Sequence, residues 1–222
     1  MTLLKESLAR EEMCRVGKSL FDRGYVHAAA GNISVKLEDG FLITPTDACL
    51  GTLDPATLAR LDGDARQVSG DRASKTIALH AHIYKATALS GSAAGCIIHT
   101  HSTHCVALSL QPCGAELLAA LTPYFVMKVG RVPLIGYHRP GELAAAHEVG
   151  RTVAAYGQRG TPIRAVMLAR LGPTVWADSP LAAMAVLEEL EETARLACLV
   201  PSSTPLSPAQ IDDLRRSFGA IW

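Results

Sequence analysis

The segment of residues 97–104, with the sequence IIHTHSTH, contains three of the eight histidines of the chain. His99 and His101 are two positions apart, and residues at that spacing on a β-strand project from the same face. Neutral imidazole is a common zinc ligand, so an H-x-H motif after an apolar strand predicts a metal site. A catalytic zinc ion usually has three protein ligands. His104 could be the third ligand, a group that supports a ligand, or a residue that packs the next helix.

The histidines need a framework, and the hydrophobic pattern predicts helices and strands that intermingle along the chain. Helical spacing predicts helices at residues 4–23, 74–89, 143–156 and 180–198, with shorter helices near residue 54, after Ser102 or Thr103, and after Ser207-Pro208. Apolar runs predict strands at residues 33–37, 41–43, 96–98 and 129–137, and a strand–turn–strand unit within residues 165–179. The clearest strand pair is a hairpin that turns at Glu38-Asp39-Gly40. The pattern therefore favours one layered α/β domain with a mixed or antiparallel sheet. Residues 1–200 are assigned to this domain, and residues 201–222 to a C-terminal helical tail.

Composition excludes several classes of protein. The 222 residues are 49% hydrophobic and carry no formal net charge, which is typical of a globular chain long enough to bury a core. No basic tract indicates nucleic-acid binding, and no apolar run reaches the length of about 18 residues that spans a bilayer. The six cysteines form no C-x-x-C pair, so neither a zinc ribbon nor a redox motif is expected. We expect a soluble, cytoplasmic protein that binds neither nucleic acid nor membrane.

Several short motifs occur in an order and at a spacing that are specific together. They are GNIS at residues 31–34, ITPT at 43–46, ASKT with a following LH within 73–80, HTHSTH at 99–104, LTPYFVMKVGRVPLIGY at 121–137 and LARLGPTVW at 168–176. On these motifs the chain resembles the class II aldolase/adducin family over roughly residues 5–200. Within that family it is most similar to the branch of 3-oxo-tetronate 4-phosphate decarboxylases.

The resemblance implies a fold, an assembly and a ligand set. The fold is a single three-layer α/β/α domain with a mostly antiparallel central sheet, and the assembly is a homotetramer with active sites at subunit interfaces. One zinc ion per subunit would be held by His99 and His101. The family's phosphate-binding positions correspond here to Asn32, Thr46, Asp47, Ser74 and Lys75. Gly31 would permit close approach of the backbone, and Lys75 would supply a compensating positive charge.

Two positions depart from the family pattern, and both affect the chemistry. The acid that follows the SK motif in relatives is Thr76 here, and the family's third zinc-binding histidine is replaced by Leu171. Threonine does not titrate near neutral pH and leucine cannot bind a metal, so we expect weakened zinc binding. The chain could be a non-catalytic relative, could recruit a replacement ligand, or could be an altered form of an active enzyme. The imidazoles available as replacements are those of His104, His138 and His82.

The remaining polar residues receive the following assignments. Tyr137 matches a family position near the site and could donate a proton. On the helix expected at residues 74–89, Thr76 and His80 share one face while His82 points elsewhere, so His80 is interpreted as structural. Cys105 is interpreted as a buried thiol. A last set is interpreted as a solvated helix face: Glu188, Glu189, Glu191 and Glu192.

Three functions remain open on the sequence. The first is a zinc-dependent decarboxylase that converts a 3-oxo-tetronate 4-phosphate to dihydroxyacetone phosphate and CO2. Its substrate is a small sugar-acid phosphate, and its turnover could be impaired at Thr76 and Leu171. The second is a non-catalytic module for ligand binding or assembly on the same fold. The third is a class II sugar-phosphate aldolase or epimerase.

Overall fold

The computed structural model describes residues 5–111 and 114–222. Leu4, the first residue of the first predicted helix, and Cys113, one of the six cysteines, lie outside the described residues. The helices of the described residues are α1 (Glu6–Asp22), α2 (Ile77–Leu89), α3 (Thr103–Ser109), α4 (Leu143–Gln158), α5 (Pro180–Leu199) and α6 (Pro208–Phe218). The strands are β1 (Asn32–Leu37), β2 (Gly40–Ile43), β3 (Ala59–Asp62), β4 (Gln67–Ser69), β5 (Cys96–His99), β6 (Leu134–Ile135), β7 (Ala165–Leu168) and β8 (Gly172–Ala177). A 3-10 turn at Leu50–Thr52 and a π-helical turn at Phe125–Val129 complete the regular structure.

The strands form one sheet in the order β4-β3-β2-β1-β5-β8-β7-β6. Every neighbouring pair is antiparallel except β6 and β7, which are parallel. The predicted mostly antiparallel sheet is therefore confirmed, with one parallel pair at its edge. The hairpin of β1 and β2 has the predicted turn, because Leu37 pairs with Gly40 across Glu38-Asp39.

Side chains that alternate along the strands bury the two faces of the sheet under different helices. On one face, Ile33, Ile98 and Val175 belong to a core with residues of α1, α3 and α5. On the other face, Ile97 and Trp176 belong to a core with residues of α2 and α4. This alternation is the pattern expected of a sheet buried on both sides, and it produces the predicted three-layer α/β/α domain.

Two segment predictions were wrong. The helix expected near residue 54 is replaced by β3 and β4, because the backbone of Ala59–Asp62 pairs with β2 and buries Leu61. The strand expected at residues 129–137 is reduced to Leu134–Ile135. Val129 ends the π-helical turn, Gly130 has a positive φ of 79°, and Pro133 forms only an isolated bridge to Glu116. The other predicted helices and strands are present with boundaries shifted by a few residues.

The last two helices begin at the caps that the sequence predicts. Ser179 is the N-cap of α5, directly before Pro180, and its side chain accepts a hydrogen bond from the Ala182 amide. Ser207 is the N-cap of α6 and forms a reciprocal capping box with Gln210. Leu214 of α6 packs in a small cluster with Ala120, Val126 and Ala220. The division of the chain at residue 200 stays a prediction. Among the described residues, no helix combines the length and the apolar character needed to cross a membrane.

Candidate active site

The candidate site lies at one edge of the sheet, where three neighbouring strands begin or end. β1 begins at Asn32, which pairs directly with His99 at the end of β5. His99 also pairs with Thr174 near the start of β8. Antiparallel pairing thus places Asn32 of the GNIS motif beside the histidine motif, although 67 positions of sequence separate Asn32 from His99.

A cavity of about 220 Å³ opens at this edge. The residues assigned from the sequence that line it are Asn32, Thr46, Asp47, Ser74, Lys75, Thr76, His99, His101 and Leu171. Of the replacement imidazoles, only His138 lines it, together with Arg139 and Glu142. The structure therefore brings together residues from five separate sequence motifs.

His99 is oriented by the backbone of the next strand. Its Nδ1 atom lies 3.0 Å from the Pro173 carbonyl oxygen and 3.1 Å from Oγ1 of Thr174. Burial, with a smaller contribution from the neighbouring His101, lowers the pKa of His99 to about 3, so the ring is neutral near pH 7. A neutral ring that donates through Nδ1 keeps the lone pair of Nε2, which is the arrangement of a metal ligand supported by a carbonyl group.

His101 and Leu171 complete this end of the cavity. The rings of His99 and His101 lie with their centroids 5.2 Å apart. The turn between β7 and β8 approaches so closely that a Cβ atom on Gly172 would lie 1.9 Å from the Thr100 carbonyl oxygen. Glycine at 172 therefore lets the turn place Leu171 at the same cavity as the histidine pair, which supports its assignment to the position of the third ligand.

Of the three positions that correspond to the family's zinc ligands, two carry a side chain that can bind zinc. His99 and His101 present imidazoles, whereas Leu171 presents only carbon atoms. No group of three histidine, cysteine or acidic side chains is placed to hold a metal within residues 5–111 and 114–222. Catalytic zinc sites usually have three protein ligands, so this arrangement predicts weak binding of the ion.

His104 and His82, two of the three histidines considered as replacement ligands, contact other groups outside the cavity. Nδ1 of His104 lies 2.8 Å from Oε1 of Glu191, a side chain that is only 5% exposed. His82 contacts the Ala78 carbonyl oxygen through Nδ1 and packs its ring against His147, with centroids 4.9 Å apart. Neither histidine lines the cavity. The interpretation of Glu191 as a solvated residue was wrong, because this carboxylate is buried at the start of α3.

The sequence interpretation missed His27. Its ring stands edge-on to that of His101, with the two centroids 6.4 Å apart. Burial is the larger cause that lowers the pKa of His101, and electrostatic repulsion from the neighbouring His27 lowers it further. The only available signal was its position four residues before Gly31 of the GNIS motif, which does not by itself predict that the loop turns back towards residue 101.

A buried chain of hydrogen bonds fixes Asn32. The Tyr84 hydroxyl lies 2.8 Å from Oγ of Ser34, which lies 2.7 Å from Nδ1 of His80. Nε2 of His80 lies 2.6 Å from Oδ1 of Asn32. Burial, with a smaller contribution from the nearby His99, lowers the pKa of His80 to about 3, so this ring is neutral.

Only one direction of donation satisfies this chain. The amide oxygen of Asn32 can only accept, so a neutral His80 donates through Nε2 and accepts the Ser34 hydroxyl proton at Nδ1. Ser34 in turn accepts from Tyr84. The amide oxygen of Asn32 is thereby turned towards His80, and its NH2 group is left as a donor for the cavity. His80 is thus a buried residue that positions Asn32.

The start of α2 supplies further groups for an anion. Oγ of Ser74 and Oγ1 of Thr76 lie 2.9 Å apart at the cavity, and the exposed Lys75 stands between them in sequence. Helix N-termini carry unpaired amides and a partial positive charge that favour anions. Hydroxyl groups, an amide donor and a lysine therefore line the same cavity.

Tyr137 has a different placement from its neighbours. Its side chain is 68% exposed, and Gly136 and His138 line the cavity while Tyr137 does not. The assignment of Tyr137 as proton donor stays a prediction.

Comparison with known proteins adds sequence and structural relatives. Residues 11–198 match the family described as Class II Aldolase and Adducin N-terminal domain. The chain is 49% identical to the 3-oxo-tetronate 4-phosphate decarboxylase of Cupriavidus necator, over 98% of this chain and 99% of the relative. The crystal structure of YgbL from Escherichia coli, described as a putative aldolase/epimerase/decarboxylase, has a TM-score of 0.85 at 37% identity and covers 95% of this chain and 99% of its own. The L-fuculose-1-phosphate aldolase of Thermus thermophilus has a TM-score of 0.74 at 24% identity, covering 91% of this chain and 100% of its own, and shows the fold alone.

Proposed function

The chain belongs to the class II aldolase and adducin family, and we propose that it is a decarboxylase of 3-oxo-tetronate 4-phosphate. The products are CO2 and dihydroxyacetone phosphate, since loss of the carboxyl group leaves a three-carbon ketone phosphate. The observation that carries the proposal is the 49% identity to a decarboxylase of this substrate along nearly the whole of both chains. The cavity supports it, because anion-binding groups and the histidine pair line the same space.

The substrate phosphate is assigned to the start of α2 and the adjoining loops. The groups that would hold it are Asn32, Thr46, Asp47, Ser74 and Lys75. Asn32 would donate through its oriented NH2 group, Ser74 through its hydroxyl, and Lys75 would balance the phosphate charge. Binding the phosphate here directs the other end of the substrate towards His99 and His101.

The metal is part of the proposal. His99 and His101 would hold one zinc ion per subunit, with affinity reduced by Leu171. When bound, zinc supplies a Lewis acid that polarises the carbonyl group of the substrate. The contribution of the chain is to fix the His99 ring through Pro173 and to keep both imidazoles neutral, because a protonated ring cannot bind a metal.

Decarboxylation tolerates threonine at position 76. The bond between C1 and C2 breaks, CO2 leaves, and the electron pair of that bond enters the enediolate formed at C2 and C3. This bond cleavage starts from a carboxylate, so no hydroxyl proton must be removed, and a residue that cannot titrate does not prevent it. Thr76 would then contribute a hydroxyl beside Ser74, while C2 still requires a proton, for which Tyr137 is the sequence-based candidate.

The proposed function is tested with the purified chain and a panel of substrates. We expect release of CO2 and formation of dihydroxyacetone phosphate from 3-oxo-tetronate 4-phosphate, and no cleavage of L-fuculose 1-phosphate. Cleavage or epimerisation of ketose phosphates without decarboxylation would instead assign the chain to the aldolase or epimerase class.

A non-catalytic binding module is the second candidate, and Thr76 and Leu171 favour it. Binding of dihydroxyacetone phosphate without turnover of any substrate in the panel would select this function. The homotetramer and the cytoplasmic location are further proposals. Light scattering of the purified chain and fractionation of producing cells would test them.

A further inference from the structure

The proposed reaction requires a proton at C2, and the cavity has lost the acid that relatives carry at the position of Thr76. Besides His99 and His101, the titratable residues that line the cavity in the described part of the chain are Asp47, Lys75, His138, Arg139 and Glu142. Of these side-chain types, only histidine ordinarily changes charge near neutral pH. We propose that His138, held by Glu148, is the catalytic acid that protonates C2 after CO2 has left. This inference rests on the proposed function.

The geometry of His138 suits a proton donor. It lies in the loop between β6 and α4, and its side chain is 21% exposed. Nε2 lies 2.8 Å from Oε2 of Glu148, on the second turn of α4. Nδ1 lies 3.8 Å from Oε2 of Glu142, which is beyond hydrogen-bond distance. Glu148 therefore fixes the ring through one nitrogen and leaves the other to reach a ligand, as in catalytic histidine–carboxylate pairs.

Charged groups lie around His138. Glu142, the N-cap residue of α4, and Glu148, within α4, face it. The opposing cations are Arg139 on its own loop, whose side chain is 80% exposed to solvent, and Lys75 at the start of α2. The loop packs on that start, since a Cβ atom on Gly141 would lie 3.4 Å from Cβ of Lys75. The His138 ring therefore lines the cavity from a loop that packs on the start of α2.

The step balances as follows. Loss of CO2 leaves an enediolate whose negative charge is shared between C2 and the C3 oxygen. The proton leaves His138 and forms the new C2–H bond, while the C3 oxygen returns to a carbonyl group. The ring becomes neutral and takes a proton from water, so one proton is consumed per CO2 released. Glu148 holds the ring through Nε2 and is a positioning residue.

The reverse of this protonation provides the test, because it needs neither the acid substrate nor CO2. Dihydroxyacetone phosphate is incubated with the metal-supplemented chain in D2O, and exchange at the hydroxymethyl carbon is followed by proton NMR. We expect His138→Gln to lower the exchange rate by about 100-fold or more, the usual contribution of a general acid or base. Glu148→Gln should lower it by about 10-fold and change its pH profile.

The controls separate chemistry from folding. His147→Gln alters an exposed histidine one position before Glu148 and should leave exchange unchanged. His138→Ala should regain exchange when free imidazole is added, which a merely structural role would not allow. In the forward reaction, His138→Gln should still release CO2 but lose more enediolate by elimination of phosphate, giving methylglyoxal and inorganic phosphate.

Three results would overturn the inference. The first is wild-type exchange in His138→Gln. The second is loss of exchange in Tyr137→Phe with retention in His138→Gln, which would identify the tyrosine as the donor. The third is absence of exchange in the unmodified chain. CO2 release by the unmodified chain is scored separately, so its failure rejects the proposed function, whereas normal exchange in His138→Gln rejects only the role of His138.

Discussion

Asn32 connects the proposed phosphate site to the buried interior. His80 binds its amide oxygen, so the NH2 group is the part of the side chain left for the ligand. Asn32→Asp replaces that donor with a carboxylate oxygen that repels phosphate. A lost hydrogen bond to a charged group is worth about 1.5–3 kcal/mol, so the dissociation constant for inorganic phosphate should rise about 10- to 100-fold. Calorimetric titration measures this. Ser34→Ala, which only loosens the orientation of His80, should have a smaller effect, and unchanged affinity in Asn32→Asp would remove Asn32 from the phosphate site.

Leu171 is the residue at which the metal hypothesis is tested most directly. Leu171→His restores a third imidazole beside His99 and His101 and should raise zinc affinity by about 100-fold or more, since even a residue that only supports a ligand contributes about 10- to 100-fold. Metal content after dialysis against zinc, measured by mass spectrometry, gives the result. Leu171→Ala is the matched control and should bind no more zinc than the parent. If Leu171→His leaves metal content unchanged, position 171 is not the third ligand position.

Combining that substitution with Thr76→Glu tests the family assignment of both positions. The double variant regains an acid at the start of α2 and a third ligand, so turnover of 3-oxo-tetronate 4-phosphate should rise at least about 100-fold, as expected for a restored general acid or base. The single variants should show smaller gains. Equal turnover in the double variant and the parent would contradict the assignment of Thr76 and Leu171 to the family's catalytic positions.

At the scale of residues, the sequence predicted which side chains meet but not how their partners orient them. His99, His101 and the residues proposed to bind phosphate could be selected because they lie in or beside short motifs of fixed local spacing. The partner of His104 could not be found, because Glu191 lies 87 positions away and its burial depends on how α5 packs beside α3. A glutamate on a charged helix face is normally solvated, and only tertiary packing overrides that expectation.

At the scale of elements, Glu191 joins two helices. Its carboxylate accepts hydrogen bonds from the backbone amides of His104 and Cys105 and contacts Nδ1 of His104. Glu191→Ala leaves these buried donors without a partner and should lower the free energy of unfolding by about 3 kcal/mol or more. Urea denaturation measures it. Glu192→Ala, at a neighbouring position with a 57% exposed side chain, should change stability by less than about 0.5 kcal/mol. Equal effects of the two substitutions would show that Glu191 does not stabilise the start of α3.

Elements with strong local signals were predicted, whereas β3 and β4 were not. The long helices α1, α4 and α5 have apolar residues at helical spacing, and α5 and α6 have serine caps followed by proline. β3 and β4 lack such a signal. Their sequence contains helix formers and turn residues, and β3 becomes a strand because β2 offers it a free edge. That edge exists only in the assembled sheet.

At the scale of the whole molecule, the site depends on antiparallel pairing. β1, β5 and β8 are neighbours whose ends meet at one edge, which brings Asn32, His99 and Thr174 into register. The loop after β6 and the start of α2 line the same cavity, on the face of the sheet that α2 and α4 cover. Local spacing gave the H-x-H pair, and His138 was among the imidazoles that the sequence offered to the site. Its contact with Glu148 depends on how the loop after β6 packs beside α4.

The same edge makes the stability of the whole domain sensitive to acid. His80 and His99 are buried and neutral, with pKa values near 3 in the folded chain against about 6.5 when unfolded. Below pH 6.5 the unfolded chain therefore binds protons that the folded chain does not, so stability falls as pH falls towards 3. Each histidine contributes a slope of about 1.4 kcal/mol per pH unit in this window. Urea denaturation from pH 7 to 4, with EDTA present, should show His80→Gln with a slope lower by that amount and the exposed control His147→Gln with the parental slope. An unchanged slope in His80→Gln would mean that His80 is protonated in the folded chain, and the assigned donation from the Ser34 hydroxyl to Nδ1 of His80 would then be wrong.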